Sequence, residues 1–196
     1  SVTGVQTCAL PILVAVKKET HITKRSISKF SNTKKIRARR KPGRIAFLGD
    51  SVMSGFGIYV NLGANTKSFA EIGLSVLTLN NSRMSDPLTY NADRVFIMIG
   101  TNDCVGNRSD SAIENDMDAY ISVCKKLHNK NKNVEIIAMG IGPTNSDRVP
   151  MDNVNRYNSA LKRRVSGMSY VKFFDTAKYL KNSSGKLDGQ YSGADG

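Results

Sequence analysis

Arg44-Ile45-Ala46-Phe47-Leu48-Gly49-Asp50-Ser51 decides the reading of this chain, because a short apolar run stops there at three turn-forming residues. A strand buried on both faces reads as a continuous apolar run, and in a parallel sheet its carboxyl end meets a turn. The same pattern recurs downstream. An extended stretch near Lys67 to Ile72 stops at Gly73, and Arg94-Val95-Phe96-Ile97-Met98-Ile99 stops at Gly100-Thr101-Asn102-Asp103. Val134-Glu135-Ile136-Ile137-Ala138-Met139 stops at Gly140, and Tyr170-Val171-Lys172-Phe173-Phe174 follows as a fifth strand. Ser109 or Asp110 can cap a helix in which Ile113, Met117, Tyr120, Ile121, Cys124 and Leu127 recur at helical spacing. Val154, Tyr157, Leu161 and Val165 mark another, with Lys162, Arg163 and Arg164 on or beside its wet face. This alternation predicts an α/β protein: a three-layer α/β/α fold with a five-stranded parallel sheet, flavodoxin-like in arrangement. In such sheets the ligand crevice lies outside the carboxyl ends of the strands, where Asp50-Ser51, Gly73 and Gly100 to Asp103 all fall.

The 196 residues are 40% hydrophobic and 23% charged, which fits a single globular domain. The longest apolar candidate, Ala9 to Val16, is interrupted by Pro11 and falls short of the roughly 18 residues a membrane span needs. Trp is absent and aromatics are only 7%, which argues against base-stacking or aromatic glycan-binding surfaces. The net charge of +13 points to an anionic partner, but its location limits that reading. Residues 17 to 44 hold 12 Lys and Arg against one acid, Glu19, a local net of +11. From Ile45 onward 17 basic residues face 15 acidic ones, so specific nucleic-acid binding by the main body is not expected.

Val2-Thr3-Gly4-Val5-Gln6-Thr7-Cys8-Ala9-Leu10-Pro11-Ile12 resembles a widely used sequencing-library adapter translated in frame. Residues 1–12 are therefore set apart from the fold as a non-native segment. Residues 13–43, closed by Pro42-Gly43, read as a basic linker, either a solvated tether or a contact for an anionic polymer such as a cell wall or phospholipid surface. Residues 44–196 form the folded domain. With Cys8 set aside, Cys104 and Cys124 are too few for a disulfide framework and lack a metal-ligand spacing. They are expected to be buried thiols and do not settle the compartment.

Gly49-Asp50-Ser51 after the first strand and Gly100-Thr101-Asn102-Asp103 after the third resemble the first and third signature blocks of the SGNH, or GDSL-like, hydrolases. Gly73, in Glu71-Ile72-Gly73-Leu74-Ser75, is similar to that family's second-block glycine. Gly, Asp and Ser are ordinary turn residues, so the resemblance rests on the blocks taken together, each at a strand terminus, and it spans Arg44 to Gly196. It implies a serine ester hydrolase, a lipase/acylhydrolase or carbohydrate esterase working through an acyl-serine intermediate. Ester cleavage needs a nucleophile, a base for its proton and donors aimed at the oxyanion of the tetrahedral intermediate. By resemblance, Ser51 attacks the acyl carbonyl, and its own N–H, the N–H of Gly73 and the side-chain amide of Asn102 form the oxyanion hole. Gly73 is expected to permit close approach because it has no Cβ. Asp50 and Asp103 are expected to hold loops and cap helices rather than do chemistry.

The family's last block is Asp-x-x-His, with the His as general base and the Asp orienting it. His21 falls in the basic linker and His128 at the polar end of the long helix, so both are expected to be surface histidines. Two readings of the last block compete. In one, Asp188-Gly189-Gln190-Tyr191 is a degenerate block with Tyr191 at the His position, making a dead hydrolase. In the other, which is preferred, Asp195-Gly196 open the block, the His is the second residue after Gly196, and the domain is incomplete at its C-terminus. The resemblance implies no metal and no organic cofactor, and neither a P-loop nor a dinucleotide glycine fingerprint is present. The substrate it implies is a small-molecule or carbohydrate ester. Acyl transfer to a sugar hydroxyl and a non-catalytic glycan- or wall-binding module are the alternatives.

Overall fold

A computed structural model describes residues 43–59 and 63–191. The adapter-like segment, nearly all of the basic linker and Asp195-Gly196 lie outside the described residues.

Strands β1 (Ile45–Gly49), β2 (Thr66–Ala70), β3 (Arg94–Met98), β4 (Glu135–Met139) and β5 (Val171–Phe174) form one sheet in the order β2-β1-β3-β4-β5. Every neighbouring pair is parallel. The register is level at the carboxyl ends, with Gly49 opposite both Ala70 and Met98, and Met139 opposite Phe174. The strand order reverses between β1 and β3, the switch point at which sheets of this kind open a ligand crevice.

Side chains alternate across a strand, and both faces of this sheet are apolar. Leu48, Val95, Ile97, Ile136 and Ala138 point into the main core; Met98 and Met139, with Phe47, Phe96 and Phe174, point into a smaller one on the other side. Phe47 and Phe96 stack there at 5.0 Å. The main core is closed by α2 (Val76–Ser82), α4 (Asp110–Lys130) and α5 (Met151–Val165). Met53 of α1 (Ser51–Tyr59) and Leu180, the last residue of α6 (Ala177–Leu180), serve the smaller core. A short helix α3 (Ser85–Tyr90) completes the crossover from β2 to β3. The three-layer α/β/α arrangement is the one the sequence predicts.

The long helix α4 begins where its cap predicts: Ser109 Oγ accepts the Ala112 N–H at 3.2 Å. Its buried face carries Ile113, Met117, Tyr120, Cys124 and Leu127, while Ile121 is half-buried. Arg163 and Arg164 of α5 pair with Glu114, and Arg164 also with Asp118, which ties α5 to α4 along the wet face. Cys104 and Cys124 are buried free thiols, and burial pushes both up to about 12. Among the described residues no helix is long and apolar enough to cross a membrane.

Four helices were not foreseen. α1 contains Gly55 and Gly57, which weaken helix propensity, and α2 is rich in Asn, Ser and Thr, which favour caps and turns. α3 carries Pro87 near its start, where the missing N–H costs no helical bond, and α6 is a single turn. Their stability comes from tertiary packing, α1 on β1 and β2 and α2 and α3 on α4, rather than from local preference.

Candidate active site

Asp50 caps α1: its Oδ1 accepts the Val52 N–H at 3.1 Å, and its carbonyl accepts the Ser54 N–H at 3.0 Å. Ser51 is therefore the first helical residue, where a backbone N–H has no acceptor within the helix and the positive end of the dipole favours an anion. The other carboxylate oxygen of Asp50 accepts the Thr101 N–H at 3.2 Å, joining the loop after β1 to the loop after β3. Burial raises the Asp50 carboxyl above the ordinary carboxylate range, opposed by its bonds to Val52, Thr101 and Gly100.

The second loop is tied to the other two. The Glu71 N–H donates to the Gly49 carbonyl at 3.1 Å, and the Asn102 side-chain amide donates to the Leu74 carbonyl at 3.1 Å. The Val76 N–H, at the start of α2, is shared by both Asp103 oxygens at 3.2 Å each. Three loops that are far apart in sequence are thus closed into one hydrogen-bonded ring at the switch point. Asp50 and Asp103 hold loops and cap helices, as expected from the sequence.

Two glycines explain themselves differently. A Cβ on Gly100 would lie 2.4 Å from the Tyr157 ring, at a φ of +136° that side chains rarely adopt. Gly73 has a φ of +78° in the turn closed by Leu74 N–H to Glu71 carbonyl, yet a Cβ there would meet nothing within 4 Å. Its glycine is required by the backbone conformation, not by close approach of protein atoms.

Ser51 and Thr101 line a cavity of about 210 Å³ beside this ring. Its other walls are Val52 of α1, Ile141 to Thr144 after β4, Ser146 and Val149 in the loop before α5, Val154 of α5, and Leu180, Leu187 and Tyr191. Gly73 and Asn102, in the loops after β2 and β3, are not among its walls. Among the described residues no group of three His, Cys, Asp or Glu side chains is placed to hold a metal ion.

His128 lies at the other end of the sheet, in the last turn of α4, and is half-buried rather than on the surface. Its ring stacks on Tyr170, just before β5, at 3.8 Å and 6°. Asp188 accepts the Gln190 N–H at 3.1 Å and caps the single 3-10 turn Gly189–Tyr191, which carries Tyr191 into the cavity that holds Ser51.

Asn153 is a supporting residue that sequence reasoning missed. Its amide donates to the carbonyls of Cys104 at 2.9 Å and Gly106 at 2.7 Å, fastening the loop after Asn102. A polar residue directly before the core position Val154 was the available signal. Asp116 is buried in α4 and paired with Arg108, another departure from the expected apolar face.

Asp103 is pushed up to about 7 by its burial and then by the Asp116 and Asp50 carboxylates, against the Val76 N–H and Arg108. Its folded-state value exceeds its unfolded one, so folding takes up a proton between the two and stability falls as pH rises through that window. Asp103→Asn removes this dependence. The melting temperature of the variant minus that of the parent is expected to climb from about pH 4 and to level off above about 7. Thermal melts at fixed ionic strength check this, and a difference that ignores pH contradicts it.

The sequence pattern of the GDSL-like Lipase/Acylhydrolase family matches residues 47–194. No curated protein sequence matches the chain. Among solved structures, a Streptococcus pneumonia protein assigned as a platelet activating factor is 18% identical with a TM-score of 0.63, over 82% of this chain and 78% of that one. A Bacteroides fragilis protein assigned as an acylhydrolase is 15% identical with a TM-score of 0.63, over 87% and 83%. A carbohydrate esterase family 3 protein from Talaromyces cellulolyticus is 16% identical with a TM-score of 0.53, over 75% and 88%. At these identities the likeness is one of fold.

Proposed function

The chain belongs to the GDSL-like lipase/acylhydrolase family and is a hydrolase of ester bonds, and on that premise we propose that it works as a serine esterase with Ser51 as nucleophile. The observation that carries the reading is the ring of hydrogen bonds joining the loops of Ser51, Gly73 and Asn102 at the switch point.

Ser51 Oγ attacks the acyl carbonyl, and its proton passes to a base. The carbonyl oxygen, now an oxyanion, is held by the N–H of Ser51, the N–H of Gly73 and the Asn102 amide hydrogen not given to Leu74. An amide NH2 has two donors, so both bonds can be made together. Collapse of the intermediate expels the alcohol, which takes the proton back from the base and leaves acyl-Ser51. Water repeats the sequence in reverse and releases the acid. The base is a histidine at the second position after Gly196, oriented by Asp195. His128 is unsuited to that role by its place at the opposite end of the sheet.

The substrate is a small-molecule or carbohydrate ester, a reading to which the carbohydrate esterase among the similar folds lends support. The basic residues between 17 and 44 add a salt-sensitive attraction to anionic polymers.

The test compares hydrolysis of p-nitrophenyl acetate by the 196-residue chain and by the same chain extended with its gene's own next residues through that histidine. Activity is expected only in the extended protein, with matching circular dichroism. Full activity without the extension would overturn the Asp195–His pair and turn attention to Tyr191, which shares the cavity with Ser51.

A further inference from the structure

The cavity beside Ser51 is closed on its far side by a hairpin with a construction of its own. α6 ends at Leu180, and the chain returns through a single antiparallel bridge between Lys181 and Leu187. Asn182 builds the turn: its side-chain oxygen accepts the N–H groups of Ser184 at 2.9 Å and Lys186 at 3.1 Å. The Asp188 N–H donates to the Leu180 carbonyl at 2.9 Å, and the Asn145 amide donates to the Leu187 carbonyl at 3.3 Å. The hairpin is therefore pinned to the loop between β4 and α5. Leu180 and Leu187, which are 4% and 8% exposed, are held side by side as one wall of the cavity.

No charged side chain lines this space; its walls are chiefly apolar, Ile141, Pro143 and Val154 among them, with Thr101, Thr144, Ser146 and Tyr191 as the polar exceptions beside Ser51. An ester carbonyl at Ser51 has two substituents, and only one can lie here. The alcohol leaves after the first half-reaction and water must take its place, which suits an open, polar approach. The acyl chain stays bound through both half-reactions and gains from a chiefly apolar enclosure throughout.

We propose that Leu180 and Leu187 set the length of acyl chain this enzyme accepts, so that the substrate is an ester of a short, unbranched acid. The proposal rests on Ser51 being the nucleophile. Each methylene that the cavity takes in is expected to raise kcat/KM by about fourfold, from ~0.8 kcal/mol per buried methylene, until the chain reaches the leucine wall, where the trend reverses.

The test uses the chain extended through its histidine, with p-nitrophenyl esters of acetate, butanoate, hexanoate and octanoate. Leu187→Ala is expected to move the optimum to a longer acid, raising the octanoate-to-acetate ratio of kcat/KM at least tenfold. Leu187→Phe is expected to lower that ratio and favour acetate. Leu180→Ala gives a second enlargement if Leu187→Ala melts early. Titration of the free carboxylates into the 196-residue chain, followed by calorimetry, reads the same ranking without catalysis. A ratio unmoved by all three substitutions overturns the proposal. So does a shift that appears only in a matched series of acetate esters with alcohols of growing length. Failure of the underlying reading looks different: a fluorophosphonate would then leave Ser51 unlabelled whatever the acyl preference.

Discussion

Ser51→Ala is expected to lower kcat for ester hydrolysis by about 10⁴-fold or more, the usual consequence of removing the nucleophile from a serine hydrolase. The loss should be chemical, not structural. Ser51 is half-buried at the first position of α1, and the bonds that fix this turn come from Asp50, the Ser54 N–H and the Ser54 hydroxyl, which donates to the Ser51 carbonyl. None of these involves the Ser51 side chain. Alanine is also the better helix former, so the melting temperature should hold or rise slightly. Steady-state kinetics on the extended chain, paired with a thermal melt, check both parts. Retained turnover in a folded variant would place the nucleophile elsewhere.

The second large effect is at Asn102. Removing one oxyanion donor costs about a hundred- to a thousandfold in kcat, and Asn102→Ala is expected to fall in that range. The donor bonds most strongly to charge that exists only in the transition state, so kcat and kcat/KM should drop together while KM changes little. A structural component comes with it, because the same amide holds the Leu74 carbonyl at 3.1 Å. Losing that bond should lower stability by about 1 kcal/mol, which a denaturant titration separates from the kinetic effect. A raised KM with kcat intact would make Asn102 a ground-state binding residue instead.

The parts of this site that were legible in the sequence are those written in backbone chemistry. Val95 to Met98 is continuously apolar because β3 is covered on both faces, and Gly100 follows because Tyr157 and a φ of +136° leave no room for a side chain. Asp50 and Asp103 could be read as loop holders because short acids next to turns cap helices. Gly73 carries a second reason that its spacing does not show: a positive φ in the turn after β2, with open space where a Cβ would stand. What could not be read was tertiary. Leu180 and Leu187 reach Ser51's cavity only because a hairpin built by Asn182 folds back over the β4–α5 loop. Their spacing carries no period that points there. Asp116 sits on a helix face that periodicity makes apolar, and only its pairing with Arg108 explains it.

The most direct test of the account is where a fluorophosphonate reacts. The extended chain is incubated with the probe, digested, and the adduct located by peptide mass spectrometry. The account predicts one adduct, on Ser51, and none in Ser51→Ala. An adduct on Tyr191, or equal labelling of the alanine variant, would contradict it.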